Sequence, residues 1–71
     1  MKNNIDVFMW FKDTNGQKVS IKVNDIISIE EVERGTLIYS KEENNKSRCH
    51  KTNVSFDNIY SMISLEKTRI T

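Results

Sequence analysis

Apolar and polar positions alternate along Val19-Ser20-Ile21-Lys22-Val23, the period-two pattern of a strand buried on one face. The stretch before it, Phe8-Met9-Trp10-Phe11, does not alternate and is apolar on both faces. Between them, Asn15-Gly16 predicts a two-residue type I′ turn, which needs positive φ at both central residues. That turn sets a register in which Lys12 faces Val19, Trp10 faces Ile21 and Phe8 faces Val23. Paired residues share a face, so Phe8, Trp10, Val19, Ile21 and Val23 form the expected core set. Val7, Met9 and Phe11 then fall on the opposite face, across from Asn24, Lys22 and Ser20.

The same patterning continues downstream. Residues 26–32, Ile-Ile-Ser-Ile-Glu-Glu-Val, predict a third strand, ended by Glu33-Arg34-Gly35. A three-residue loop with Gly35 in the left-handed region pairs Glu31 with Leu37 and Ile29 with Tyr39. A fourth strand is expected from Thr36 to Lys41 and a fifth from about Ser47 to Val54. With Asn44-Asn45 as a two-residue turn, His50 faces Tyr39 and Thr52 faces Leu37. Ser55 has the chemistry of a helix N-cap. Phe56, Ile59, Tyr60 and Ile63 follow at the i, i+3, i+4, i+7 spacing of one helical face, which predicts a helix over 56–66. The expected fold is therefore α+β: an antiparallel sheet of about five strands with one C-terminal helix packed on it. A strongly curled version, a small Sm- or SH3-like barrel, is the alternative, because short strands in a meander twist readily.

Seventy-one residues allow one small domain, 1–71, with residues 1–5 and 68–71 expected to fray. A chain this short buries only roughly 60–65% of its unfolded surface. The single cysteine, Cys49, leaves no partner for an intramolecular disulfide and no multi-cysteine zinc site. Association with a second copy is the most available source of extra buried area. A formal net charge of +1 carries no strong signature of nucleic acid or membrane. Its distribution is uneven: Glu30, Glu31, Glu33, Glu42 and Glu43 precede Lys46, Arg48, Lys51, Lys67 and Arg69. No signal peptide, transit segment or long apolar run is evident, so a cytoplasmic protein is expected. Richness in Asn, Lys and Ile points to an AT-rich bacterial or phage genome.

Catalytic, metal and cofactor sites are not expected. Cys49 and His50 are neighbours on a predicted strand, so their side chains point to opposite faces and cannot form a dyad. Glu30-Glu31 and Glu42-Glu43 have no evident pocket. Metal ligation would need His50 to converge with Glu31 or Glu33, which nothing in the spacing demands. No glycine-rich phosphate loop is present, and so small a sheet leaves little room for a substrate cavity. The Val7, Met9 and Phe11 stripe is the sharpest feature. It fits a second core layer, a homodimer contact or a docking surface for another protein, since small domains rarely expose such a row without a use. Lys46, Arg48 and Lys51 form a basic strand suited to phosphate contacts.

The succession Gly16-Gln17-Lys18-Val19, Ile26-Ile27-Ser28-Ile29-Glu30 and Gly35-Thr36-Leu37-Ile38-Tyr39 resembles two families. One is the FlbD-like small proteins of Firmicute flagellar operons, over about residues 10–63. In place of that family's usual Pro-Asp-Thr turn stands Arg34-Gly35-Thr36. This resemblance implies a non-enzymatic role. The other is the first half of LytTR-type DNA-binding domains, which implies DNA binding, although the half that carries much of the DNA contact has no counterpart here. The function expected is a small non-catalytic protein-interaction module, a regulator or inhibitor. It would act through the Val7, Met9 and Phe11 face or an edge strand on another protein or on itself. The alternative is a nucleic-acid-binding regulator using Lys46, Arg48 and Lys51. Neither a membrane nor a small-molecule substrate is expected as partner.

Overall fold

The computed structural model describes residues 7–70, with side chains from 7 to 65. Its order is β1 (Phe8–Lys12), β2 (Lys18–Lys22), β3 (Ile26–Val32), β4 (Gly35–Lys41), β5 (Ser47–Thr52) and α1 (Phe56–Ile70). A 3-10 turn over Val23–Asp25 joins β2 to β3, and another over Glu43–Asn45 joins β4 to β5. The fold is α+β, as expected, but the strands form two antiparallel sheets rather than one: β1-β2 and β3-β4-β5. They meet at one corner through the bridge Asp13↔Thr52. There the Thr14 N–H donates to the Lys51 carbonyl at 3.1 Å, and the Thr52 hydroxyl donates to the Lys12 carbonyl at 2.7 Å. The sheets do not close into a barrel, and α1 packs across β1, β3, β4 and the first 3-10 turn.

The first hairpin is one residue out of the expected register. Phe8 pairs with Lys22, Met9 with Ile21, Trp10 with Ser20, and Phe11 with Val19. The loop has three residues because Asp13, not Thr14, is the last to pair: its N–H donates to the Gln17 carbonyl at 2.9 Å. Asp13 also organises the loop with its side chain. Its Oδ1 accepts the N–H groups of Asn15 (2.9 Å) and Gln17 (3.0 Å), and its carbonyl accepts that of Gly16. Aspartate at the first turn position and glycine at the fourth suit a tight turn of the commonest kind, and Gly16 takes the positive φ of +82°. A period of two turns this single-residue shift into a complete exchange of faces. Met9 and Phe11, 4% and 3% exposed, are core, whereas Phe8 and Trp10, 54% and 55% exposed, lie outside.

The second hairpin is displaced the other way. Val32 pairs with Gly35 and Ile29 with Ile38, leaving only Glu33-Arg34 as the loop. Ile38 is therefore buried, while Leu37 and Tyr39 face outwards, half-buried. Gly35 does not supply a loop conformation here. It lets the end of β5 pass close by, for a Cβ at this position would sit 1.9 Å from the Thr52 carbonyl oxygen. An irregularity between Ile26 and Ser28 turns Ile27 out to solvent while Ile26 packs on the core.

In the third hairpin Asn44 and Asn45 both have positive φ (65° and 61°), but the loop includes Glu43. The Glu42 N–H donates to the Lys46 carbonyl at 2.7 Å, and His50 pairs with Ile38 and Thr52 with Thr36. Buried threonines satisfy their hydroxyls within this corner: that of Thr36 donates to the Val54 carbonyl at 2.8 Å.

Helix α1 starts where expected, with the Asn58 N–H donating to the Ser55 Oγ at 3.2 Å. It runs to Ile70 rather than stopping near 66, so 68–70 belong to the helix. Ile59, Met62 and Ile63 face the core. Tyr60, expected among them, is exposed and stacks on Phe56 with ring centroids 6.2 Å apart. The fraying expected of 1–5 falls outside the described residues.

Candidate functional site

The two hairpin registers decide which side chains are available for contact. Met9 and Phe11 join Ile21, Val23, Ile38 and Ile59 in the buried cluster, with Val7 and Val19 packed against it. Of the three readings of the Val7, Met9 and Phe11 stripe, the structure assigns it to the core. The residues exposed in its place are Phe8 and Trp10.

They stand on the outer face of the β1-β2 hairpin in defined company. Phe8 lies opposite Lys22, Trp10 opposite Ser20, and Lys12 opposite Lys18. The Lys18 Nζ lies 5.0 Å from the centroid of the Trp10 ring, a cation–π contact worth about 0.5–1 kcal/mol at an exposed site. The register of β1 and β2 places no carboxylate on this face. Asp13, next to Lys12 in the sequence, has its Oδ1 engaged by two loop N–H groups, and Asp25 and Glu42 share a cleft with Phe8 and Lys22. Lys12 and Lys18 form a directly opposed like-charge pair, an arrangement that destabilises a hairpin. The face therefore combines two exposed aromatic rings with exposed lysines.

The basic strand proposed from the sequence is not gathered in this way. Arg48 lies opposite Ser40 and Lys51 opposite Leu37, so they occupy different faces of the sheet, and Lys46 sits beside the turn. The Arg48 guanidinium is 3.5 Å from a Glu42 carboxylate oxygen, an exposed pair worth little. Arg48 and Lys51 do reach one open cleft, where Asp13, Thr14, Lys18 and His50 also contribute. Lys51 thus extends the lysine-bearing face across the corner where the sheets meet.

Cys49 and His50 point to opposite faces of β5. Cys49 is exposed and lies across from Tyr39, whose phenol is raised above its ordinary value first by the nearby Glu30 charge and then by Cys49. His50 points inwards, edge-on to Phe11 at 6.1 Å, with its Nε2 3.2 Å from the Ser40 hydroxyl. Burial, helped by the Arg48 charge, lowers its pKa below the ordinary value near 6.5. A group whose folded pKa is depressed stabilises the fold above its unfolded pKa, and that contribution is lost as pH falls through the folded pKa. Urea unfolding is therefore expected to show lower stability at pH 5 than at pH 7.5, with the difference reduced in His50→Gln.

No family model, curated protein or solved structure matches this chain. What the site does must be argued from its own chemistry. Among the described residues, no group of three or more His, Cys, Asp and Glu side chains converges in the manner of a metal site. Again among the described residues, no helix is long and apolar enough to cross a membrane. The Phe8 and Trp10 surface could have been found from the sequence, since Asp13 and Gly16 stand three apart around Thr14-Asn15. That spacing favours the longer loop as strongly as Asn-Gly favours the shorter one.

Proposed function

We propose that the chain is a small non-catalytic binding module whose contact surface is the outer face of the β1-β2 hairpin, centred on Phe8 and Trp10. The observation that carries this is the exposure of both rings, 54% and 55%, in a chain that buries every other apolar residue of that hairpin at least in part. Large aromatics are the side chains that most often anchor an interface. The resemblance to FlbD-like proteins, with its implied non-enzymatic role, agrees with this.

A second copy of the chain is a poor partner for the face. A two-fold contact sets a patch against itself, and the paired residues of this face offer lysines but no carboxylate to the lysines of the other copy, so like charges would meet without compensation, at a cost of several kcal/mol. The partner is accordingly a different molecule. Trp10 is the only tryptophan, so its fluorescence reports on this face alone. The free chain should run as a monomer of 8.3 kDa with a red, solvent-exposed emission readily quenched by acrylamide. A blue-shifted emission shielded from acrylamide would mean the face is already covered and would overturn the proposal.

A further inference from the structure

Resting on that assignment of the face, we infer that its ligand is single-stranded nucleic acid. The apolar part of the surface is aromatic, and its rings lie two residues apart on one strand. Two residues of strand rise separate them by roughly 6.8 Å, about twice the 3.4 Å between stacked bases of a nucleic-acid strand. A single strand with its bases splayed can therefore set one base on each ring. A duplex cannot, because its base faces are already stacked. Sequence-tolerant binders of single strands combine such stacking rings with a cationic track for the backbone.

The charge on the face fits the same ligand. Lys12 and Lys18 are exposed and flank the Trp10 side of the platform by register. Lys51, also exposed, continues the cations across the corner to β5 beside Thr14 and Lys18. The paired residues of β1 and β2 put no carboxylate between these lysines. Asp13, in the cleft with Lys18 and Lys51, and Asp25 and Glu42, beside Phe8 and Lys22, border the track, so the phosphates follow the lysine line between them. The opposed lysines, unfavourable in the free hairpin, are relieved when phosphates lie between them. Lys18 has a defined part in this. Its ammonium lies over the Trp10 ring in the free chain, a weak contact at an exposed site. An arriving base replaces it on the ring, where stacking is the stronger interaction, and the ammonium turns to a phosphate.

The experiment is a titration of Trp10 fluorescence with oligothymidylate of about twelve nucleotides, checked by the anisotropy of a labelled oligonucleotide. Saturable quenching is expected, with affinity falling roughly tenfold between 50 and 200 mM salt if two to three phosphates are neutralised. Trp10→Ala should weaken binding roughly ten- to a hundredfold, and Trp10→Phe much less. The double variant Lys12→Gln/Lys18→Gln should weaken binding and flatten the salt dependence. Circular dichroism of each variant confirms that the fold is kept. Absence of quenching, equal binding of a duplex of the same length, or a response only to anionic phospholipid vesicles or to polyglutamate would each overturn the inference. If the oligonucleotide fails while acrylamide still reaches Trp10 in the free chain, the ligand assignment is wrong and the binding face stands. If Trp10 is shielded beforehand, both fall.

Discussion

Gly35→Ala is expected to unfold the chain. The added Cβ would lie 1.9 Å from the Thr52 carbonyl oxygen and 2.9 Å from the Asn53 Cα, both backbone atoms, and Gly35 has a φ of +142° that side-chain-bearing residues rarely adopt. Neither contact can be relieved by a rotamer change. Relief would require β5 to move away from β4 at the place where the sheets are joined, breaking the Thr14–Lys51 and Thr52–Lys12 hydrogen bonds. A loss on the order of 3–5 kcal/mol lies at the extreme of single substitutions. Against a total stability of about 4–10 kcal/mol for a domain of this length, the variant should have little or no folded baseline in urea. Gly16→Ala is the matched control. Its Cβ meets nothing within 4 Å, so only the positive φ is penalised, at roughly 1–2 kcal/mol. If the two alanine variants unfold at the same urea concentration, β5 does not cross at Gly35.

Neighbouring aromatics on β1 should respond oppositely to truncation. Phe11 is 3% exposed and touches His50 and the central cluster, so Phe11→Ala leaves a cavity and should cost about 3–5 kcal/mol. Trp10, though larger, is 55% exposed. Trp10→Ala loses mainly the contact with Lys18 and should cost no more than about 1 kcal/mol. Urea midpoints of the two variants read this contrast directly. The register read from Asn15-Gly16 alone predicts the reverse order, with Trp10 the costly loss.

That reversal shows where the sequence was legible. The inward face of β2 and the core set of α1 around Ile59 and Ile63 followed from alternation and helical spacing, and the cap from the chemistry of Ser55. The faces of β1 and β4 did not. Both strands, Phe8-Met9-Trp10-Phe11 and Leu37-Ile38-Tyr39, are apolar on both sides, so pattern cannot orient them and the turns must. Each turn was one residue from its expected length, for an identifiable reason. Asp13 held the first loop with its carboxylate, and close passage of β5 drew Gly35 into the ladder. Glu43 joined the two left-handed asparagines in the third. Around β4 the last two shifts compensate, which is why His50 and Thr52 still face inwards while Leu37 and Tyr39 do not. The candidate site lies on β1, where pattern was least informative. A one-residue shift in the loop therefore decides which of Phe11 and Trp10 is buried and which is exposed.

The register of the first hairpin carries both the core and the binding face, and nuclear Overhauser contacts between backbone Hα protons report it without substitution. Trp10 and Ser20 form a pair whose backbones are not hydrogen-bonded to each other, as do Lys12 and Lys18, because the ladder bonds run through Asp13–Gln17 and Val7–Val23. Such pairs bring their Cα atoms to about 4.5 Å. Strong Hα–Hα contacts between Trp10 and Ser20 and between Lys12 and Lys18 are predicted. Strong Hα–Hα contacts of Phe11 with Ser20 and of Asp13 with Lys18 in their place, the non-hydrogen-bonded pairs of a two-residue Asn15-Gly16 turn, would return Trp10 to the core and contradict the account.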